Sequence, residues 1–147
     1  PMWYFSGSAY LPDGMISSIS CMGNPAVWWT GLAALIYILI ASAWRRKAPR
    51  AWLITLIGFA AQFLPWVLVP RSTFIYHYFA SVPFIIICTV LALNEIRRRD
   101  RAAFKVCTGV LLALALVLFV AFYPLESGLP APESYVKYLK WFKWYNY

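Results

Sequence analysis

Four apolar stretches dominate the pattern of hydrophobic and polar positions along this chain. They cover residues 25–44, 51–69, 73–93 and 102–122. Because a helix needs about 20 predominantly apolar residues to cross a bilayer, each stretch is long enough to span a membrane. Asn24 followed by Pro25 is typical of a helix N-cap with proline at the first helical position. The pattern predicts an all-α integral membrane protein built as a four-helix bundle.

Basic residues are concentrated in the short segments between these stretches. One group follows the first stretch and another follows the third: Arg45, Arg46, Lys47 and Arg50, then Arg97, Arg98, Arg99 and Arg101. Lysine and arginine near the ends of spanning helices mark the cytoplasmic side. We therefore expect both basic loops to be cytoplasmic and both ends of the chain to be extracytoplasmic. An outside start without a signal peptide predicts an odd number of earlier spans in a longer protein.

The segments outside the apolar stretches are polar and aromatic. Residues 1–24 predict an extracytoplasmic loop, and residues 123–147 predict a second loop followed by a helical tail. Lys137, Lys140 and Lys143 recur every third residue among aromatic residues in that tail. Aromatic rings and long lysine side chains both favour the headgroup level of a membrane. The tail is therefore predicted to lie flat on the outer surface as an interfacial helix, with a partly disordered end as the alternative.

Composition agrees with a membrane protein and leaves few other classes. Of 147 residues, 63% are hydrophobic and 12% are charged, whereas a soluble domain has about 25% charged residues. The net charge of +8 comes from residues beside apolar stretches, which indicates membrane orientation and argues against nucleic-acid binding. Of the three cysteines Cys21, Cys88 and Cys107, two fall inside apolar stretches, so we predict small buried residues, and their spacing offers no metal site.

The start of the third stretch carries the most promising polar chemistry. Four polar side chains are grouped there: Arg71, Tyr76, His77 and Tyr78. If the helix begins about four residues before His77, this residue lies roughly 6 Å below the helix end, at the depth of lipid phosphates. Arginine can donate two parallel hydrogen bonds to a phosphate, and histidine and tyrosine can each donate one. The segment predicts a site for a lipid-linked phosphate, with an interfacial aromatic belt as the alternative.

Two prolines fall inside predicted spans. Pro65 and Pro83 each remove a backbone donor and so leave the carbonyls of Ala61 and Phe79 without their usual partners. Such breaks are tolerated in membranes where protein or a wet cavity supplies a replacement, and Gln62 is placed to do so. We predict that both prolines kink their helices and shape an outward-facing pocket.

The small residues and the acidic residues predict helix packing and the positions of negative charge. Gly31 and Gly58 stand at helical spacing from Ala34 and Ala61, which predicts close packing of helices. Glu95 and Asp100 lie among the arginines of the second basic loop and are predicted to be solvated. The remaining acids, Asp13, Glu126 and Glu133, fall in predicted loops without visible partners. These residues predict a binding surface and no acid–base catalytic pair.

Several blocks of the sequence form a recognisable set: Met22-Gly-Asn-Pro-Ala-Val-Trp-Trp29, Gln62-Phe-Leu-Pro-Trp66, Pro70-Arg71, Phe74-Ile-Tyr-His-Tyr-Phe79 and Tyr123-Pro-Leu-Glu-Ser-Gly-Leu-Pro130. In these blocks the chain resembles the C-terminal four-helix part of protein O-mannosyltransferases. Together with the aromatic tail, the resemblance covers almost the whole chain.

The resemblance implies a membrane enzyme that moves mannose from a polyprenyl-phosphate carrier to Ser or Thr hydroxyls of an acceptor protein. It implies that the catalytic Asp-Glu pair lies in an amino-terminal half of the same polypeptide. No residue here matches that pair, so no catalytic residue is assigned. The implied role of this part is binding of the lipid phosphate, with polyprenyl-phosphate mannose as donor and no cofactor in this region. The basic loops, together with an external acceptor, favour a bacterial plasma membrane.

Three other functions remain open from the residues alone. One is a related glycosyltransferase with another sugar or acceptor. Another is a small transporter in which His77 relays protons, although such a relay needs more titratable groups along its path. The last is a non-catalytic membrane assembly subunit.

Overall fold

The structure, a computed structural model, describes residues 4–8, 11–20, 23–70 and 78–139. Within these ranges there are four long helices: α1 (Pro25–Trp44), α2 (Arg50–Val67), α3 (Val82–Arg99) and α4 (Arg101–Ser127). A short 3-10 helix, Phe79–Ser81, leads into α3, and α5 spans Glu133–Leu139. Three strands, β1 (Tyr4–Gly7), β2 (Met15–Ser20) and β3 (Ala131–Pro132), form one small sheet.

The four long helices form the predicted membrane bundle. Each is long and apolar enough to cross a membrane. Because few side chains within them are buried inside the chain, most of their apolar surface faces outward. The prediction of an all-α four-helix membrane protein is confirmed. The helix α2 begins at Arg50 and ends at Val67, slightly earlier at both ends than the sequence predicts.

The alternating direction of the helices gives the bundle two chemically different ends. At one end, called the basic end, lie the residues Arg45, Arg50, Arg99 and Arg101. At the other, called the aromatic end, lie Trp28, Phe63 and Tyr78. The basic loops therefore share one end of the bundle. The strands β2 and β3 adjoin the helix ends at the opposite end.

The start of α3 differs from the prediction. Pro83 lies in the first turn of this helix and not in its interior. A proline in the first turn lacks only an N–H that has no helical partner. The carbonyl of Phe79 is also not orphaned, because it accepts the N–H of Val82 as the 3-10 helix ends. The predicted kink at Pro83 is therefore wrong, whereas Pro65 does lie inside α2.

The region after the fourth span also differs from the predicted loop. The helix α4 continues past Pro124 to Ser127 and ends at Gly128, whose left-handed backbone (φ 76°) suits glycine. Beyond it, β3 pairs antiparallel with β2, and β2 pairs antiparallel with β1. The hydroxyl of Ser17 donates to the Gly128 carbonyl at 2.7 Å, so the two predicted loops are joined into one folded cap.

The short helix α5 packs on this cap. Val136 is buried with Leu125 and Ala131, and the hydroxyl of Tyr135 donates to the Ala121 carbonyl at 2.7 Å. The rest of the predicted interfacial tail, residues 140–147, lies outside the described residues, so its placement on the membrane surface stays a prediction.

The centre of the bundle is a close contact between α1 and α3. A Cβ atom added at Gly31 would lie 3.0–3.1 Å from side-chain atoms of Ile85, so a larger residue would require Ile85 to shift by a few tenths of an ångström. Further along, Ala34, Ile38 and Cys88 form a buried cluster. The close packing predicted at Gly31 and Ala34 is confirmed.

The predictions for the remaining small residues and for the cysteines are confirmed only in part. A Cβ at Gly58 would lie 2.9 Å from two ring atoms of Phe84, which confirms close packing at this glycine. Ala61, in contrast, is exposed. Cys88 is buried as predicted, but Cys107 is exposed on α4, so the prediction of a buried residue is wrong there. Cys21 lies outside the described residues.

The two acids near the second basic loop, Glu95 and Asp100, make contacts that stabilise the fold. The carboxylate of Glu95 forms ion pairs with Arg45 at 2.9 Å and Arg98 at 3.5 Å, and its side chain is only 12% exposed. Asp100 caps α4 by accepting the N–H groups of Ala102 and Ala103. The prediction that Glu95 is solvated is therefore wrong, because two arginines pair with its largely buried carboxylate. Asp100 is exposed, as predicted, and also caps the helix.

Substitution of Gly31 tests the close contact. We expect Gly31→Val to lower the free energy of unfolding by about 1–3 kcal/mol, because the added methyl groups must displace Ile85 near its rigid Cβ. Gly109→Val is the control, since a Cβ at Gly109 meets no atom within 4 Å. Thermal unfolding in detergent measures the difference, and equal effects of both variants would contradict the contact.

Candidate functional site

Tyr78 is fixed at the aromatic end by two aromatic neighbours. Its ring stacks on Trp28 of α1 with centroids 4.8 Å apart and an interplanar angle of 22°. Phe63 of α2 meets the same ring edge-on, at 5.7 Å and 89°. Stacked and edge-to-face pairs are the favoured aromatic geometries and contribute beyond the apolar area they bury. The residues Trp28, Phe63 and Tyr78, called the aromatic clamp, therefore hold the residues before α3 against α1 and α2.

A groove of about 640 Å³ opens beside the aromatic clamp. It is lined by the start of α1 and by the start of α3: Gly23, Asn24, Val27, Trp28, Phe79, Val82, Pro83, Ile86 and Ile87. Among these lining residues, Asn24 and the indole of Trp28 carry the polar side-chain atoms, and the rest of the surface is apolar. Such a groove suits a hydrocarbon chain with a polar group at one end.

Asn24 holds one wall of the groove in place with both ends of its amide. Its Oδ1 accepts the N–H of Ala26 at 3.0 Å and so caps α1. Its Nδ2 donates to the Ala115 carbonyl of α4 at 2.7 Å. One side chain thus starts α1 and ties it to α4. The N-cap predicted from the Asn24-Pro25 pair is confirmed, but the bond to α4 had no signal in the sequence.

Only some of the predicted site residues lie at the groove. Tyr78 belongs to the aromatic clamp, and Pro83 lines the groove. Gln62 and Pro65 are exposed on α2 and are not among the groove-lining residues. The other three predicted ligands, Arg71, Tyr76 and His77, lie outside the described residues.

Three residues of the site were missed by sequence reasoning about chemistry. They are Trp28, Asn24 and Phe63, of which Trp28 and Asn24 stand inside the Gly-Asn-Pro…Trp-Trp block. Phe63 had no signal of its own, because an aromatic residue in a spanning helix is ordinary. Apart from the N-cap of Asn24, their roles follow only from the way the helices meet.

Among the described residues, those that line the groove include no acidic side chain. Within the part of the chain that the structure describes, no three His, Cys, Asp or Glu side chains gather closely enough to hold a metal ion. The described residues of the groove form a mostly apolar surface, and none of them offers a group that would take a proton from a hydroxyl.

Comparison with known proteins fits this picture of a membrane bundle. The model of the C-terminal four-transmembrane region of protein O-mannosyltransferases matches residues 3–145. The chain therefore belongs to the protein O-mannosyltransferase family. This family membership agrees with the resemblance found in the sequence blocks.

Individual relatives are similar over most of this chain. A polyprenol-phosphate-mannose–protein mannosyltransferase of Corynebacterium glutamicum is 32% identical over 145 residues, which cover 90% of this chain and 27% of that protein. Protein O-mannosyl-transferase 1 of Danio rerio is 27% identical, over 80% of this chain and 19% of that protein. The chain thus spans about a quarter or less of the curated relatives that it matches.

A solved structure shares the fold. The structure of the S. cerevisiae protein O-mannosyltransferase Pmt1-Pmt2 complex bound to the sugar donor matches with a TM-score of 0.70 at 24% identity. The match covers 86% of this chain and 20% of that chain. It shows that the four-helix arrangement is that of the family.

Two substitutions at Asn24 separate its two hydrogen-bonding roles. We expect Asn24→Ala to lower the free energy of unfolding by about 2 kcal/mol, because both the cap and the bond to α4 are lost. Asn24→Ser keeps a capping oxygen but is too short to reach the Ala115 carbonyl, so we expect about half of that loss. Thermal unfolding in detergent is the measurement. A serine variant as stable as the original protein would mean that the bond to α4 contributes nothing.

Proposed function

We propose that this chain is the membrane part of a polyprenyl-phosphate-mannose–protein mannosyltransferase that binds the lipid-linked donor. The isoprenoid chain lies in the apolar groove, and the phosphate lies beside the segment that ends at Tyr78. The name of the Corynebacterium relative, a polyprenol-phosphate-mannose–protein mannosyltransferase, supports this choice of donor. The acceptor would be a Ser or Thr hydroxyl of a protein.

The observation that carries the proposal is the position of Tyr78. The aromatic clamp fixes this residue at the groove, where neighbouring Phe79 is one of the lining residues. His77, Tyr76 and Arg71 precede Tyr78 within a few residues of chain. Because these residues directly precede Tyr78 in the sequence, we assign to them the phosphate of a lipid whose chain lies in the groove.

The chemistry divides between this part and the rest of the enzyme. A hydroxyl of the acceptor attacks C1 of mannose, the bond from C1 to the phosphate oxygen breaks, and the phosphate leaves with the polyprenyl chain. Cationic and hydrogen-bonding groups stabilise the negative charge that develops on the leaving phosphate, a role suited to Arg71 and His77. The base that takes the hydroxyl proton is expected on an amino-terminal half, in the Asp-Glu pair that the family resemblance implies.

The proposed orientation places the groove on the extracytoplasmic side. The basic end carries the arginine-rich loops, and such loops are retained on the cytoplasmic side of membranes. The aromatic end, with the groove and the small sheet, then faces outward, together with both ends of this chain. This is the side on which a secreted acceptor protein would meet the donor.

Alanine substitutions test the phosphate role. We expect Arg71→Ala in the complete protein to raise the KM for the lipid-linked donor about tenfold or more, because a charged hydrogen bond contributes about 1.5–3 kcal/mol. His77→Ala should have a smaller effect in the same direction. Arg101→Ala is the control, since it removes the same charge at the basic end. Unchanged donor KM in both Arg71→Ala and His77→Ala would refute the assignment.

Filling the groove tests the role of the isoprenoid chain. We expect Ile86→Trp to raise the KM for a long-chain donor several-fold while leaving a short-chain analogue little affected, because the indole would occupy part of the groove. Ile57→Trp is the matched control, as this isoleucine is exposed on α2 and does not line the groove. Steady-state kinetics with both donors give the comparison. Equal effects of the two variants would contradict a groove-bound chain.

A further inference from the structure

A second, smaller groove lies at the basic end of the same helix pair. It has a volume of about 240 Å³ and is lined by Tyr37 of α1 and by Ala92, Glu95, Ile96 and Arg99 of α3. This volume is several times the share of about 30 Å³ that one water molecule takes in the liquid. The groove is therefore large enough for a phosphate group.

Glu95, the one acid among the described residues that line this groove, is already paired with arginines. Glu95 accepts Arg45 on one carboxylate oxygen at 2.9 Å and approaches Arg98 with the other at 3.5 Å. The guanidinium of Arg45 also lies over the ring of Trp52, 4.6 Å from its centroid. Two arginines on one carboxylate leave an excess of positive charge beside the groove.

Arg99 supplies a cation that has no acidic partner among the described residues. It lines the groove and its side chain is exposed, and no ion pair of the described chain includes it. Tyr37 stands on the opposite wall, with its ring held near Trp52 at 6.1 Å between centroids. A guanidinium and a phenol hydroxyl are both hydrogen-bond donors suited to a phosphate oxygen.

The remaining described residues that line the groove are apolar. Ala92 and Ile96 line the groove itself, and Leu39 and Ile40 of α1 are exposed nearby along the chain. A site with cationic donors at headgroup level and apolar walls beneath them matches the two halves of an anionic phospholipid. Basic pockets between spanning helices are known to take such headgroups.

We propose that this groove binds one anionic phospholipid, with the lipid phosphate held by Arg99 and Tyr37. Glu95 acts as a positioning residue, because it holds Arg45 and Arg98 beside the groove and keeps the excess charge there. The site lies at the opposite end of the bundle from the larger groove beside the aromatic clamp. It therefore does not depend on the proposed binding of the donor in that groove.

Lipid retention measured by native mass spectrometry tests the proposal. The complete protein is incorporated into nanodiscs of equal parts phosphatidylglycerol and phosphatidylcholine, released into detergent and examined for bound lipid. We expect one retained phosphatidylglycerol in preference to phosphatidylcholine. Arg99→Gln should reduce this retention about fivefold, since one arginine near an anionic lipid surface contributes about 1 kcal/mol.

Arg50→Gln is the matched control, because it removes the same charge from the basic end without touching the groove. Tyr37→Phe is the second test variant, which keeps the ring but removes the hydroxyl, and it should also reduce retention. Equal loss in Arg99→Gln and Arg50→Gln would indicate diffuse attraction and overturn the proposal. Retention unchanged in Arg99→Gln, or no preference for phosphatidylglycerol in the original protein, would overturn it as well.

Discussion

The close approach of α1 and α3 at Gly31 is the constraint on which the rest of the bundle depends. The glycine lets Ile85 lie against the backbone of α1, and the buried cluster of Ala34, Ile38 and Cys88 continues the contact. Both grooves lie along this one interface, the larger at its aromatic end and the smaller at its basic end. Tight packing in the middle therefore leaves the two ends available for ligands. Any change that separates the two helices would alter both grooves together.

Each end of the interface is closed by a different type of interaction. At the aromatic end, the rings of Trp28 and Phe63 hold Tyr78, and the amide of Asn24 ties α1 to α4. At the basic end, the carboxylate of Glu95 joins α1 and α3 through Arg45. Aromatic contacts suit an end that receives a hydrocarbon chain, and ion pairs suit an end at the level of charged headgroups. The chemistry of each end thus agrees with the ligand proposed for it.

Length and local pattern were sufficient to predict the bundle, because the cost of unpaired backbone groups in lipid leaves few alternatives to spanning helices. They also predicted the cap at Asn24 and the close packing at Gly31, because the Asn24-Pro25 pair and the small residues Gly31 and Ala34 are local sequence patterns. Pro83 was misjudged because a proline in the first turn and one in the interior look alike without the helix start. The small sheet was missed for a different reason, since β2 is joined to residues more than a hundred positions away, as in the bond from Ser17 to Gly128 (a separation of 111). The aromatic clamp likewise depends on three separate elements meeting in space, which no local pattern reveals.

Photo-crosslinking tests most directly whether the larger groove holds the polyprenyl chain of the donor. A benzophenone amino acid is placed at Ile87, which lines the groove, or at Leu112, which is exposed on α4. The complete protein is then illuminated with polyprenyl-phosphate mannose in phospholipid nanodiscs, and the adducts are identified by mass. A polyprenyl adduct at Ile87 but only phospholipid adducts at Leu112 is the expected result. Phospholipid adducts alone at both positions would contradict donor binding in the groove.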